Sequence, residues 1–224
     1  MSTRPSFSHA FGRALRGEPY RVVGADGSVQ DLPVGSWTRD PDAADEALLD
    51  LCRGATLDVG CGPGRLCAAL SERGQVSLGI DVVGEAVRLT RDRGASALRR
   101  DVFGSLPGEG RWRTALLADG NVGIGGDPVA LLRRVREVLD PRGRVVVELA
   151  PAGTPSGTSW AALEPASGLA AARSKPFRWS VVSVDDVGAL ATGAGLAVHE
   201  QVEVGPGRPV AVLGEVVVPS GSSW

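Results

Sequence analysis

The run TLDVGCGPGR at residues 56–65 constrains the fold most. Leu57 and Val59 are apolar, three glycines follow at alternate positions (Gly60, Gly62, Gly64), and the amphipathic stretch LCAALSERG comes next. Such a pattern predicts a strand, a tight turn and a helix. Glycine accepts backbone angles that side chains resist, and without a Cβ it lets a ligand lie against the main chain. Asp58 places a carboxylate in an otherwise apolar strand, which is costly unless a cation or a hydrogen-bond donor meets it. The simplest partner is a positively charged ligand.

Regular alternation begins at this point. Strands are predicted at 56–60, 76–81, 97–100, 114–118 and 144–149, with helices at 64–73, 84–93 and 127–139 between them. Alternating β and α segments with short connections imply a parallel sheet covered by helices on both faces. Two further strands, 196–204 and 209–218, are joined by a GPGRP turn and should be antiparallel. The expected fold is α/β, Rossmann-like and doubly wound: a mostly parallel seven-stranded sheet with an antiparallel C-terminal strand, in three αβα layers.

Two regions fall outside that alternation. Residues 1–39 form an N-terminal segment in which SHAFGRAL can make one or two helical turns, and YRVV, GADGS and VQDL read as a β-hairpin placed to lie across the mouth of the core as a lid. The core domain then occupies 40–224 and starts with a helix over 40–52, with Asp40 as N-cap and Pro41 at the first helical position. Between about 151 and 182 the periodicity breaks. The small-residue and Pro-rich APAGTPSGTSWAALEPASGL is expected to be a loop with a short helix, and FRWSVVSV an inserted strand. A helix over SVDDVGALATGAG follows, capped by Ser183.

Composition narrows the function classes. A chain of 224 residues can form one domain with a full core. A net charge of −2 supplies no basic field for a polyanion, so no nucleic-acid partner is expected. Three cysteines, Cys52, Cys61 and Cys67, have neither paired disulfide spacing nor a zinc pattern, so no metal is assigned and a reducing cytoplasmic setting is expected. No run reaches the length of a membrane span, and no membrane partner is expected. The oligomeric state is left open.

The stretch 56–65 resembles motif I of the class I S-adenosylmethionine-dependent methyltransferases, an acidic residue followed by G-x-G-x-G. The dinucleotide fingerprint G-x-G-x-x-G would need its third glycine at position 65, which is Arg. The resemblance implies a loop of Gly60, Cys61, Gly62 and Gly64 against S-adenosylmethionine, with Asp58 behind it. Ligands of open parallel sheets sit at the carboxyl ends of the strands. Asp81 ends the second strand and can accept two hydrogen bonds from a ribose diol. The family holds the cofactor ribose at this place, beside Val82, although the same acid suits NAD. Asp101 follows the third strand; the family accepts the adenine amino group there, with the Val102 amide facing the ring. A turn-capping role for Asp101 stays open.

Asp119, Gly120 and Asn121 close the fourth strand, where the family meets both the methionyl end of the cofactor and the acceptor. Asp119 can orient the cationic cofactor or take a proton from the acceptor, and Asn121 is assigned to the acceptor. The surrounding DGNVGIGGDP is either a structural turn or a loop that lets substrate approach the backbone. His9 is a candidate base if its segment folds over the site. For the acceptor pocket the candidates are Trp160, Arg178 and Trp179, followed by Trp37. No Asn-Pro-Pro-aromatic segment follows the fourth strand, which points away from protein and nucleic-acid acceptors and toward a small molecule methylated on O, N or C. An NAD-dependent oxidoreductase and a non-catalytic cofactor-binding module are the competing readings.

Overall fold

The alternation folds as the pattern implies. The computed structural model describes residues 4–167 and 173–216. Its N-terminal part holds α1 (Phe7–Leu15), the hairpin strands β1 (Tyr20–Gly24) and β2 (Val29–Asp31), α2 (Val34–Thr38) and α3 (Ala43–Leu49). The core runs β3 (Thr56–Val59), α4 (Arg65–Glu72), β4 (Ser77–Asp81), α5 (Gly84–Asp92), β5 (Ala97–Arg99), β6 (Trp112–Leu117), α6 (Pro128–Val138) and β7 (Leu139–Glu148). Then come β8 (Gly157–Pro165), β9 (Phe177–Val181), α7 (Val187–Ala194), β10 (Ala197–Glu203) and β11 (Pro209–Gly214). The last two residues of the predicted 209–218 strand lie outside the described residues.

Seven strands form one sheet in the order β5-β4-β3-β6-β7-β11-β10. Its first five are parallel, and β11 runs antiparallel to both β7 and β10. Both faces are buried. Leu57, Val59, Ala115, Leu117, Val145 and Val147 point toward α6 and α7, while Leu116 and Val146 point toward Leu48, Leu49, Leu66 and Leu70 of α3 and α4. The two-residue period of the strands sends alternate side chains to opposite layers, so near-continuous apolar runs such as RVVVEL are what such a sheet needs. Strand order reverses between β3 and β6, which puts a crevice at their carboxyl ends.

A second, antiparallel sheet has the order β2-β1-β8-β9. The loop with a short helix expected over 150–169 is therefore corrected at 157–165, where GTSWAALEP is a nine-residue strand pairing Leu163 with Val22 of β1 and Ser159 with Trp179 of β9; residues 168 and 169 lie outside the described residues. Its Gly/Ser/Thr-rich first half is exposed and its second half buried, so it lacks the even alternation that marks a half-buried strand. The predicted hairpin exists, but it joins this sheet rather than standing alone. Helix α1 packs Ala10 and Ala14 against Tyr20 and Leu163, and Leu15 against Val83 and Ala86.

Helix α3 starts later than expected. Its N-cap is Asp42, whose side chain accepts from Asp45 N while the Asp45 carboxylate accepts from Asp42 N. This reciprocal pair satisfies two orphan donors and sets the boundary, leaving Asp40 and Pro41 before the helix. The short α2 was not foreseen.

Candidate active site

The turn after β3 is left-handed at Gly60, Gly62 and Gly64. A Cβ at Gly60 would lie 2.8 Å from Asn121 Nδ2, and one at Gly64 2.6 Å from Thr90 Cα, so the protein itself fills both places. A Cβ at Gly62 would meet nothing within 4 Å. Bare main chain thus faces open space at Gly62. The same residue donates its N–H to Asp81 Oδ2 at 3.1 Å, and Val83 N donates to Asp81 Oδ1 at 2.8 Å. Burial raises the Asp81 pKa, and these amides oppose the rise. The two strand-tip loops therefore meet on one carboxylate, with Val82 exposed beside it.

Asp58 is buried behind the turn, and its described partner is the Cys67 thiol, which donates to Oδ2 at 3.4 Å. Burial pushes its pKa up to about 7, with Asp119 and Asp81 adding repulsion and Cys67 and Arg65 opposing. No side-chain cation of the protein hydrogen-bonds it among the described residues. Cys61 lies against Thr90 Oγ1 at 3.6 Å, and all three cysteines are free and buried.

A residue that read only as a mismatch to the dinucleotide fingerprint proves central. Arg65 is 3% exposed and sits at the first position of α4. Its guanidinium donates to both Asp119 oxygens, at 2.9 and 2.7 Å, and to Asp45 Oδ2 at 3.0 Å. Asp45 also accepts from Arg39 and Arg208. Arg208 donates in turn to Glu148, whose Oε2 accepts from Asp119 N at 3.0 Å. A buried guanidinium needs such partners, and its two terminal nitrogens divide between the carboxylates, Nη1 to Asp45 and Nη2 to both oxygens of Asp119, which fixes the Asp119 carboxylate in place. Burial raises the Asp119 pKa and Arg65 opposes that. Asp119 itself is left-handed, with φ of 51°, and its side chain is 32% exposed. Glu148 could have been flagged in the sequence by the rule that flagged Asp58, a carboxylate ending an apolar strand; Asp45 and Arg208 carried no such signal.

In the glycine-rich loop after β6, Gly120 is left bare, with nothing within 4 Å of a Cβ there, whereas Gly123 and Gly126 are packed by the protein's own chain. A Cβ at Gly123 would lie 2.0 Å from Ser180 O, and one at Gly126 2.5 Å from Arg178 Cβ. Ile124 bridges to Trp179, and Thr158 Oγ1 donates to Gly126 O at 3.1 Å. Strand β9 thereby forms a roof over the tips of β6 and β7. Beneath it lies a cavity of about 220 Å³, lined among others by Asp119, Gly120, Glu148, Leu149, Trp179 and Val182. Trp179 thus joins Asp119. Trp160, 52% exposed, and Arg178 are cross-strand partners on the same ribbon but do not line that cavity.

Of the remaining candidates, Asn121 lies at the glycine turn, and the structure gives His9 and Trp37 no contact with it. Asp101 is exposed and Oδ1 accepts from Phe103 N at 3.0 Å, an Asx-type turn. Val102 buries its side chain in the core, and its carbonyl accepts from Arg134 Nε at 3.0 Å. Asn121 turns its amide toward the β3 turn, donating to Val59 O and Gly60 O. His9 is exposed on α1, on the side away from the buried Ala10 and Ala14; the structure gives it no contact with the strand tips. Trp37 packs against Phe11, with ring centroids 5.6 Å apart. No described helix is long and apolar enough to cross a membrane.

Residues 57–147 match the family model described as a methyltransferase domain. Among solved structures, a S-adenosylmethionine-dependent methyltransferase from Bacteroides fragilis, in complex with S-adenosyl-L-homocysteine, is 19% identical with a TM-score of 0.77, covering 97% of each chain. A Burkholderia thailandensis 1,6-didemethyltoxoflavin-N1-methyltransferase is 20% identical with a TM-score of 0.57, covering 80% of this chain and 79% of that one. A TehB-like S-adenosylmethionine-dependent methyltransferase from Corynebacterium glutamicum is 16% identical with a TM-score of 0.58, covering 93% and 98%. These likenesses describe the fold. No curated protein matches the chain.

Proposed function

We propose that the chain is a class I S-adenosylmethionine-dependent methyltransferase with S-adenosylmethionine as cofactor, a reading supported by the methyltransferase-domain match over residues 57–147 and by the shared fold, and that its methyl acceptor is a small molecule seated beneath β9. The observation that carries this reading is the cavity of about 220 Å³ that brings Trp179 over Asp119. That volume lies below the roughly 300–1,000 Å³ of pockets for drug-sized ligands. The Burkholderia protein, structurally similar, binds 1,6-didemethyltoxoflavin together with S-adenosylhomocysteine, a precedent for a small acceptor on this fold.

When bound, the cofactor would supply a methyl group on a sulfonium; an acceptor O, N or C nucleophile would bond to the methyl carbon in line as the C–S bond breaks, with S-adenosylhomocysteine as leaving group and a proton lost from the acceptor. Positioning matters more than covalent participation in such a step. Gly62 offers the bare surface for the adenosyl part and Asp81 keeps lone pairs for the ribose diol; the family resemblance would put Asp101 and the Val102 amide at the adenine edge. Asp119, with both oxygens held by Arg65, is suited to orienting the cationic end of the cofactor. Trp179 supplies an apolar wall that excludes water from the acceptor side. His9 has no part in this assignment.

Incubation of the protein with methyl-labelled S-adenosylmethionine and a fractionated cell extract tests the reading. Label is expected in the low-molecular-weight fraction. Label confined to protein or nucleic acid would contradict it.

A further inference from the structure

Asn121 stands where the acceptor was expected to be met, yet its side chain is spent elsewhere. Asp119 and Gly120 are consecutive left-handed residues, which reverse the chain after β6 and send Asn121 back toward β3. Both amide hydrogens are engaged, with Nδ2 3.0 Å from Val59 O and 2.9 Å from Gly60 O. Strand pairing explains why those carbonyls need a donor. On the β6 side β3 is paired only as far as Asp58, opposite Leu116, so the strand tip continues without a neighbour. Gly60 has no room for a Cβ because Asn121 Nδ2 and Ile124 Cδ1 stand 2.8 and 3.0 Å from that place. On its far side the same loop is pinned to β9 through Ile124, Gly123 and Gly126.

We infer that Asn121 is a positioning residue for the cofactor, a two-pronged brace that fixes the Gly60–Gly62 turn relative to the loop carrying Asp119. It therefore sets the distance between the bare surface at Gly62 and the carboxylate at Asp119. This rests on the methyltransferase reading, since it supposes that S-adenosylmethionine spans the two. A side chain that accepts hydrogen bonds cannot replace it, because two carbonyl oxygens already face the position.

Asn121→Asp makes this testable without knowing the acceptor. A carboxylate at 121 has no donor and repels both carbonyls, while the protonated acid recovers one donor. S-adenosylhomocysteine titrated calorimetrically into wild type, N121D and N121A at pH 8.0 and pH 5.5 should show N121D weaker than wild type by about tenfold at pH 8.0, the loss of a hydrogen bond or two. Asp58, Asp81 and Asp119 all lie near position 121, so a variant with a carboxylate placed there should be weakened further by their charge at pH 8.0 and the N121D-to-wild-type ratio should shrink at pH 5.5, whereas the N121A ratio, with no new charge, changes less. If N121D does not fold, N121A at pH 8.0 carries the test, with at least about fivefold weakening expected. Wild-type affinity in either variant at pH 8.0, or N121A weakened as much as N121D at both pH values, overturns the brace. Wild type that fails to bind S-adenosylhomocysteine would instead remove the methyltransferase reading on which it stands.

Discussion

The crevice has two sides that are built differently. Its proposed cofactor side is made of successive strand ends: the Gly60–Gly64 turn after β3, Asp81 at the tip of β4 and the turn at Asp101 after β5 use local backbone chemistry. Its roof is the antiparallel pair β8–β9, joined to the N-terminal hairpin by the distant pairing of β1 with β8 and set down on a loop whose glycines at 123 and 126 admit it. On the proposed reading, the surface for the cofactor is encoded by local turns, while the chamber assigned to the acceptor depends on strand pairing outside the core alternation. Arg65 and Asn121 join the two sides, one through an ion pair to Asp119 and the other through hydrogen bonds to Val59 and Gly60.

If that division is sound, variants should separate by side. The largest effect belongs to the seam. Arg65→Met leaves Asp45 and Asp119 without their shared buried cation and should lower unfolding free energy by about 3–5 kcal/mol in urea titrations, the cost of breaking a buried pair. A loss under about 1 kcal/mol would mean that Arg39 and Arg208 hold the network unaided. On the cofactor side, Asp58 provides a pH signature. Its carboxyl, ordinarily near 3.8, is raised to about 7 by burial, so its contribution to stability is complete below about pH 4 and is lost as pH rises through 7. Asp58→Asn should flatten that decline, by at most about 4 kcal/mol at roughly 1.4 kcal/mol per pH unit. Identical melting-temperature profiles of variant and wild type from pH 5 to 8 would refute the buried, protonated state.

Smaller effects sharpen the comparison. Asp81→Ala should weaken S-adenosylhomocysteine binding by roughly 1–3 kcal/mol, the range for hydrogen bonds to a charged group. Unchanged calorimetric affinity would sever the ribose assignment. Trp179→Ala should leave that affinity within about twofold while cutting methyl transfer by about tenfold or more, because it removes a wall of the acceptor chamber only. A parallel loss of cofactor affinity would show that the roof is not a separate side at all.

The same division explains what was legible in the sequence. Gly60, Gly62 and Gly64 announce a turn because glycine is the residue for left-handed backbone, and the acids at 58, 81, 101 and 119 fall at strand ends once the alternation is counted. Strand β8 was hidden since half of it is exposed Gly, Thr and Ser and its register is set by Val22 and Trp179, neither of which is near it in sequence. Arg65 appeared as an absence of glycine, and nothing local tells that a guanidinium at a helix start will reach back to Asp45 and across to Asp119. The glycines at 123 and 126 read equally as room for a substrate or room for a strand; Ser180 and Arg178 occupy it. Asn121 was placed at the correct strand tip, but the direction of its side chain depends on two left-handed residues before it, one of them the non-glycine Asp119.

The central claim is that a cofactor lies across bare main chain at Gly62 with its reactive end turned into the chamber under β9. A crystal structure of the protein with S-adenosylhomocysteine tests it most directly. The account predicts adenosine over Gly62, the ribose hydroxyls on Asp81, and the sulfur facing the cavity between Asp119 and Trp179. A ligand seated elsewhere, or a sulfur pointing away from β9, would contradict it.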